Sequence, residues 1–272
     1  MKSFLSNLEN LIGEFRSEEY YSIYARPSAG KTLYVLEEAV NLISQGATII
    51  YLSTENGFEG LFEEWKPKFE EKFNVKVTEQ NFKIFKIYNL ENLMDFLGRS
   101  INITIGDKGK MTTFLVEEKK KNIDTLPIHI SKAKNPVIIL DSFSVLFRED
   151  FNTATQNFSA RSDAVGFLFA TLKEIMRKYN AFTIMLHHAS IDPMNLYNQP
   201  DKMRGGTIIS YYSKYILYFE VERKNTMRDY RKVFGVRLAG KKDWVNFAWL
   251  RIDDSGYHDA TITEAEEAYS RK

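Results

Sequence analysis

Residues 25–34 read ARPSAGKTLY, and the fold turns on how this stretch is read. Gly30, Lys31 and Thr32 match the end of the pattern G-x-x-x-x-G-K-[ST], a turn between a strand and a helix. Such a turn wraps phosphates with successive backbone N–H groups at a helix N-terminus, where the helix dipole also favours negative charge. On this reading Ala25, Arg26, Pro27, Ser28, Ala29, Gly30, Lys31, Thr32 and Leu33 form a nucleotide-binding loop. Lys31 reaches the β- and γ-phosphates, and the Thr32 hydroxyl ligates Mg²⁺. Ala25 stands where the pattern has glycine. If that position needs a positive φ, alanine costs on the order of 1 kcal/mol. A helix that merely begins GKT is the alternative, so the decision rests on the rest of the chain.

Outward from the loop, buried strands alternate with helices, which predicts a mainly parallel sheet with helices on both faces. YYSIYA enters the loop as a strand, and residues 31–44 leave it as a helix closed near Gly46. ATIIYLS is a buried strand, followed by an acidic helix over 57–73. FKIFKIYN reads as a strand and LENLMDFLGRSI as a helix. PVIILDS is a central strand whose apolar run ends in aspartate. Residues 160–179 read as a long helix and FTIMLHH as another buried strand. YILYFEVER, KVFGVRLAG and FAWLRIDD then suggest consecutive antiparallel strands. Residues 3–15 have helical amphipathic spacing, with Phe4, Leu5, Leu8, Leu11, Ile12 and Phe15 on one side. Two segments break the alternation. Residues 106–135 are lysine-rich and read as an excursion or hairpin. Residues 189–206, with two prolines and a terminal Gly-Gly, read as a long loop.

The expected organisation is an N-terminal helical segment, 1–20, on one α/β domain, 21–272. With 44% apolar and 27% charged residues the composition is that of a globular chain. No apolar run approaches the ~20 residues of a membrane span, and the acidic residues of MKSFLSNLENLIGEF argue against a secretory signal. The absence of cysteine excludes disulfides and thiolate metal sites and suits a cytoplasmic, reducing interior. Net charge is +1, yet residues 202–251 hold twelve Lys/Arg against four Asp/Glu. That basic quarter reads either as a footprint for phosphates or as solvated strand faces.

Two carboxylates complete the candidate site. Asp141 closes a buried strand, at the sheet edge where ligands bind in open α/β sheets, about 110 residues after Lys31. Glu55, in YLSTENGF, follows another buried strand and would emerge on the same edge, positioned to orient water. The competing role for Ser53, Thr54 and Glu55 is to cap the next helix. His187 and His188 are adjacent on a strand and point to opposite faces, which makes them a poor metal pair.

The order ARPSAGKT, YLSTENGF, VIILDSFSVLFRED, HHA and RGG resembles the ATPase core of the RecA/RadA recombinases, especially the short archaeal RadA paralogues. Thr54-Glu55 with Phe58, Asp141-Ser142 with Phe147-Arg148-Glu149, Ala160-Arg161 and the late IDDSGYHD carry the likeness, which covers roughly residues 20–260. It implies the RecA-like P-loop fold, with ATP and Mg²⁺ as cofactors and ATP hydrolysis as the activity. Glu55 would activate water, Lys31 would bind phosphate, and Thr32 and Asp141 would hold the metal. His188 falls where the family places a γ-phosphate sensor. Two DNA-facing loops are implied, near 150–159 and 189–206; the second brings Tyr197, Lys202 and Arg204 to single-stranded DNA with Gly205-Gly206 as a hinge. The expected role is assistance to homologous recombination or repair, with a recombinase as protein partner and a homo-oligomer left open.

The departures from the family are specific. Phe62 replaces the arginine that stacks on adenine, and a phenyl ring either stacks on the base or belongs to the core. About twenty residues precede the ATPase core, and no convincing Phe-x-x-Ala polymerisation motif is found, which argues against strand exchange by this chain alone. Paired acidic residues after the second strand, usual in KaiC-type ATPases, are absent. A KaiC-like regulatory ATPase acting on proteins, and a nucleotide-binding adaptor with little hydrolysis, are the alternatives.

Overall fold

Burial follows the two periods visible in the sequence. The computed structural model describes residues 1–105, 110–116, 124–150, 157–190, 201–204, 207–221 and 229–270. In chain order the elements are α1 (Ser6–Ile12), β1 (Tyr20–Ala25), α2 (Lys31–Ser44), β2 (Thr48–Ser53), α3 (Phe58–Phe73), β3 (Phe82–Lys86) and α4 (Leu90–Phe96). A hairpin, β4 (Ser100–Ile105) and β5 (Met111–Val116), precedes α5 (Leu126–Ile130), β6 (Pro136–Asp141), α6 (Phe143–Asp150), α7 (Phe158–Tyr179) and β7 (Phe182–Ser190). The chain closes with β8 (Lys202–Met203), α8 (Thr207–Tyr212), β9 (Tyr215–Val221), β10 (Tyr230–Arg237), β11 (Phe247–Asp253), β12 (Gly256–Ala260) and α9 (Ile262–Ser270).

The main sheet has the order β12-β11-β10-β9-β1-β7-β6-β2-β3, with β8 added to the end of β7. Neighbours from β9 through β3 run parallel, and those from β9 to β12 are antiparallel. This is the expected α/β architecture. Alternate residues of each central strand feed opposite cores, as a period of two requires. Ile49, Tyr51, Val137, Ile139 and Ile184 enter the core covered by α1, α2 and α3. Ile50, Leu52, Ile138, Leu140 and Met185 enter the one covered by α4, α6 and α7.

Helix α1 lays its apolar stripe on the chain's own sheet. Leu5, Leu8, Leu11, Ile12 and Phe15 are all buried in the first core, each contributing about 1.5–3 kcal/mol on burial. Polar bonds fix its register: Asp259 accepts from the backbone N–H groups of Ser6 and Asn7 at 2.8 and 2.9 Å. Asn7 Nδ2 donates to the carbonyls of Trp249 and Ala260. The helix is shorter than the 3–15 pattern because Gly13, at φ 72°, turns the chain away.

One other reading is corrected. The helix expected through LENLMDFLGRSI ends at Phe96, and Gly98 at φ 81° redirects the chain into β4. Helix α6 fills the segment after Asp141, to which the sequence assigned no element. Strand β12, in the late IDDSGYHD stretch, adds to the antiparallel strands, and helix α9 follows it.

Candidate functional site

Parallel pairing puts the carboxyl ends of four strands on one rim. Ala25 of β1 is in register with His188 of β7, and Ser53 of β2 with Asp141 of β6. Lys31 opens α2 directly above this rim. Ligands of open α/β sheets bind at such an edge.

Ala25 is a fully buried strand residue, paired with His188 on one side and Phe219 on the other. Its φ is not positive, so the alanine carries no backbone cost. In the loop the left-handed positions are Ser28 (φ 60°) and Gly30 (φ 89°). A Cβ on Gly30 would lie 2.4 Å from Tyr257 Oη, and that hydroxyl donates to the Gly30 carbonyl at 3.2 Å. Arg231 Nε, from β10, donates to the Ala29 carbonyl at 2.8 Å. The loop is therefore braced from the antiparallel strands, a contact that local sequence does not reveal. Lys31 is 7% exposed, with Nζ 3.4 and 3.3 Å from the carbonyl oxygens of Ala25 and Arg26. Burial pushes its pKa down, and the charges of Asp141 and Glu55 push it back up.

Asp141 is buried, and its pKa is raised to about 6, chiefly by desolvation. Hydrogen bonds from Tyr51 and Thr32 and the charge of Lys31 act in the opposite direction. The Tyr51 hydroxyl, from the neighbouring strand, donates to Oδ2 at 2.7 Å. Sequence reading missed Tyr51, although its place two residues before Ser53 puts it on the first-core face. Glu55 Oε1 lies 2.8 Å from His188 Nε2. This bond, before any other cause, holds the Glu55 carboxyl below its ordinary range.

Thr54 is bonded to the end of β6 and the residue after it. Its N–H donates to the Asp141 carbonyl at 2.7 Å. Its hydroxyl donates to the Ser142 carbonyl at 3.0 Å and accepts the Ser142 N–H at 2.8 Å. The peptide between Asp141 and Ser142 is cis. Helix α3 has Gly57 at its N-cap and no side-chain cap, so the capping alternative for Ser53, Thr54 and Glu55 is not the one realised.

The donor set fits a hard divalent cation and a triphosphate. A hydroxyl and a carboxylate, Thr32 and Asp141, are near enough for Thr32 to lower the Asp141 pKa, beside a buried ammonium and a helix N-terminus. Among the described residues no three His, Asp or Glu side chains form a metal cage. A small cation such as Mg²⁺ draws its other ligands from water and phosphate oxygens.

Lys31, Thr32, Asp141, Glu55 and His188 are thus brought together. Phe62 is not: it is 7% exposed, packed against Phe58 and Phe82 at centroid distances of 5.8 and 4.9 Å. The adenine-stacking expectation is corrected to a core role. His187 is fully buried against Ser22 and Phe143, and burial lowers its pKa to about 3, which keeps it neutral. In the loop, Pro27 and Ser28 are exposed, Ala29 is buried and Leu33 packs on the first core. Arg26 turns away to Asp201. Lys202 and Arg204 are exposed on and beside β8, next to the end of β7. Tyr197, Gly205 and Gly206, and most of both expected DNA-facing loops, lie outside the described residues. No helix among the described residues is long and apolar enough to cross a membrane.

Comparison with known proteins gives the same fold. A scan against protein-family models finds no match. The chain is 27% identical over 222 residues to the DNA repair and recombination protein RadB of Methanobrevibacter smithii, covering 79% of each chain. It also superposes on a crystal structure of the RadB recombinase with a TM-score of 0.61 at 18% identity, over 95% of this chain and 98% of that one. The second likeness speaks to fold alone; the first agrees with the order of motifs along the sequence. With its loop, two carboxylates and His188 on one rim of a RecA-like sheet, the chain resembles the RecA/RadA recombinases and, among them, the RadB paralogues.

Proposed function

We propose that this chain is a recombination and repair ATPase, binding ATP with Mg²⁺ and hydrolysing it to ADP and phosphate in a cycle linked to single-stranded DNA. The convergence of Lys31, Thr32, Asp141, Glu55 and His188 on one sheet edge carries the reading. Lys31 exchanges the carbonyls of Ala25 and Arg26 for phosphate oxygens, and the loop amides around Gly30 wrap the same phosphates. Thr32 and Asp141 would hold Mg²⁺, which would supply neutralisation of phosphate charge. Glu55, kept ionised by its bond to His188, orients and accepts a proton from the attacking water. His188 meets the γ-phosphate side of the site. Lys202 and Arg204 pair with DNA phosphates, Tyr197 stacks on a base, and a recombinase is the protein partner. The whole chain acts as a single cytoplasmic domain with α1 as its N-terminal brace.

Single-turnover hydrolysis tests the chemistry. Wild type is expected to cleave ATP, and Glu55→Gln to lose about 100-fold or more. Equal rates would remove Glu55 from the reaction; binding with no cleavage by wild type would mark a nucleotide-binding adaptor. For DNA, affinity for a single-stranded oligonucleotide should fall steeply with salt, less steeply in Lys202→Ala/Arg204→Ala. Absence of binding at low salt would favour a regulatory ATPase acting on proteins.

A further inference from the structure

The second residue of the phosphate loop is tied to the segment entering β8. Arg26 Nε and Nη2 donate to Asp201 Oδ2 and Oδ1 at 2.5 and 2.8 Å. A planar fork on a carboxylate fixes orientation as well as charge. The Asp201 side chain is 6% exposed against 35% for Arg26, so one end of the pair is shielded from solvent. Tyr218 of β9 donates to the same Oδ2 at 2.9 Å. From Asp201 the chain runs directly into β8, with Lys202 opposite Ser190 and Met203 opposite Ala189. The Arg204 N–H then donates to the His188 carbonyl at 2.8 Å. The His188 side chain is the one bonded to Glu55. Residues 201–204 are thus held at both ends by the nucleotide site: by the phosphate loop through Arg26, and by the backbone of His188.

We infer that Arg26 and Asp201 are positioning residues that couple occupancy of the phosphate loop to residues 201–204, and through them to the exposed cations Lys202 and Arg204. The inference rests on the ATP reading above. Arg26 is part of the loop that a phosphate orders: its carbonyl accepts the Ala29 N–H at 3.4 Å and the Lys31 ammonium at 3.3 Å. A guanidinium on an ordered backbone loses less entropy in gripping Asp201, so the two ordering steps favour each other. Linkage makes the effect reciprocal: whatever steadies 201–204 also favours nucleotide.

Hydrogen exchange at the Arg204 amide of the full chain tests this, with and without a saturating non-hydrolysable ATP analogue and Mg²⁺. Calorimetry records nucleotide binding in parallel. Exchange is expected to slow about 5-fold or more on nucleotide addition, and this slowing should vanish in Asp201→Asn at saturating nucleotide. If Asp201→Asn does not fold, Arg26→Lys, which keeps the charge and loses the fork, takes its place. Slowing retained in either folded variant overturns the coupling. Nucleotide binding by wild type without slowing overturns the coupling alone; no nucleotide binding by wild type overturns it together with the ATP reading.

Discussion

His188 Nε2 and Glu55 Oε1 meet at 2.8 Å although their strands are not neighbours: β6 lies between β7 and β2, and the pair bridges the end that carries Asp141. The bond lowers the Glu55 pKa, and a base with a lowered pKa stays ionised to lower pH. His188→Ala removes the first cause of that shift. The acid limb of the pH–rate profile for ATP hydrolysis should then move upward, toward the ordinary range of a glutamate. An acid limb unmoved by the substitution would separate His188 from the ionisation of Glu55.

Tyr51→Phe removes the 2.7 Å hydrogen bond to Asp141 while keeping the ring. Asp141 then stays buried with one donor fewer, at an expected cost of about 1–3 kcal/mol. Denaturant unfolding in the absence of nucleotide reads this. The same variant should need more Mg²⁺ for half-maximal nucleotide binding, because Asp141 loses the partner that orients it.

Gly30→Ala tests the brace on the phosphate loop. The new Cβ would sit 2.4 Å from Tyr257 Oη at a φ of 89°. Nucleotide affinity is expected to fall at least ~10-fold, from a left-handed cost of ~1 kcal/mol and a steric cost of similar size. Adding Tyr257→Phe removes the contacting oxygen and should restore part of the loss, leaving the backbone cost. Titration with a fluorescent nucleotide on both variants separates the two.

Glu38 should make stability depend on pH. It is fully buried on α2, bonded to Ser3, Tyr34 and Asn41, and desolvation raises its pKa from 4.5 to about 7. The folded state therefore holds a proton that the unfolded state has released between about pH 4.5 and 7. Stability from this group is present below that window and is lost as pH rises through it. Glu38→Gln should flatten the slope and stabilise the chain at pH 8 by on the order of 3 kcal/mol, at ~1.36 kcal/mol per pKa unit. Thermal melts across pH 5–8 compare the two. Glu37, whose pKa is also raised to about 7 by burial despite Lys72 at 2.6 Å, adds a residual slope in both.

What the sequence displays depends on how local the cause is. Strands such as PVIILD and TIIYLS are legible because both faces are buried and the apolar run is unbroken. The phosphate loop, Asp141 and Glu55 are legible because each sits at a strand's end. Gly98 was hidden inside a helical pattern that continued across it, and only its positive φ reveals the stop. Phe62 was ambiguous because a ring three or four residues along a helix suits a base or a core equally; Phe82, far along the chain, settles it. Tyr51, Tyr257, Arg231 and Asp201 act on the site from strands and loops that only the folded sheet brings near, and no window of sequence contains those contacts.

The mutual clasp of Thr54 and Ser142 has one more consequence. It ties the segment carrying Glu55, the proposed base, to the end of β6 carrying Asp141, the proposed metal ligand, so a shift of one backbone is passed to the other. Damage at one should propagate to the other, and paired substitutions at 55 and 141 should cost far less together than the product of their separate effects. The two acids would behave as a single rigid jaw.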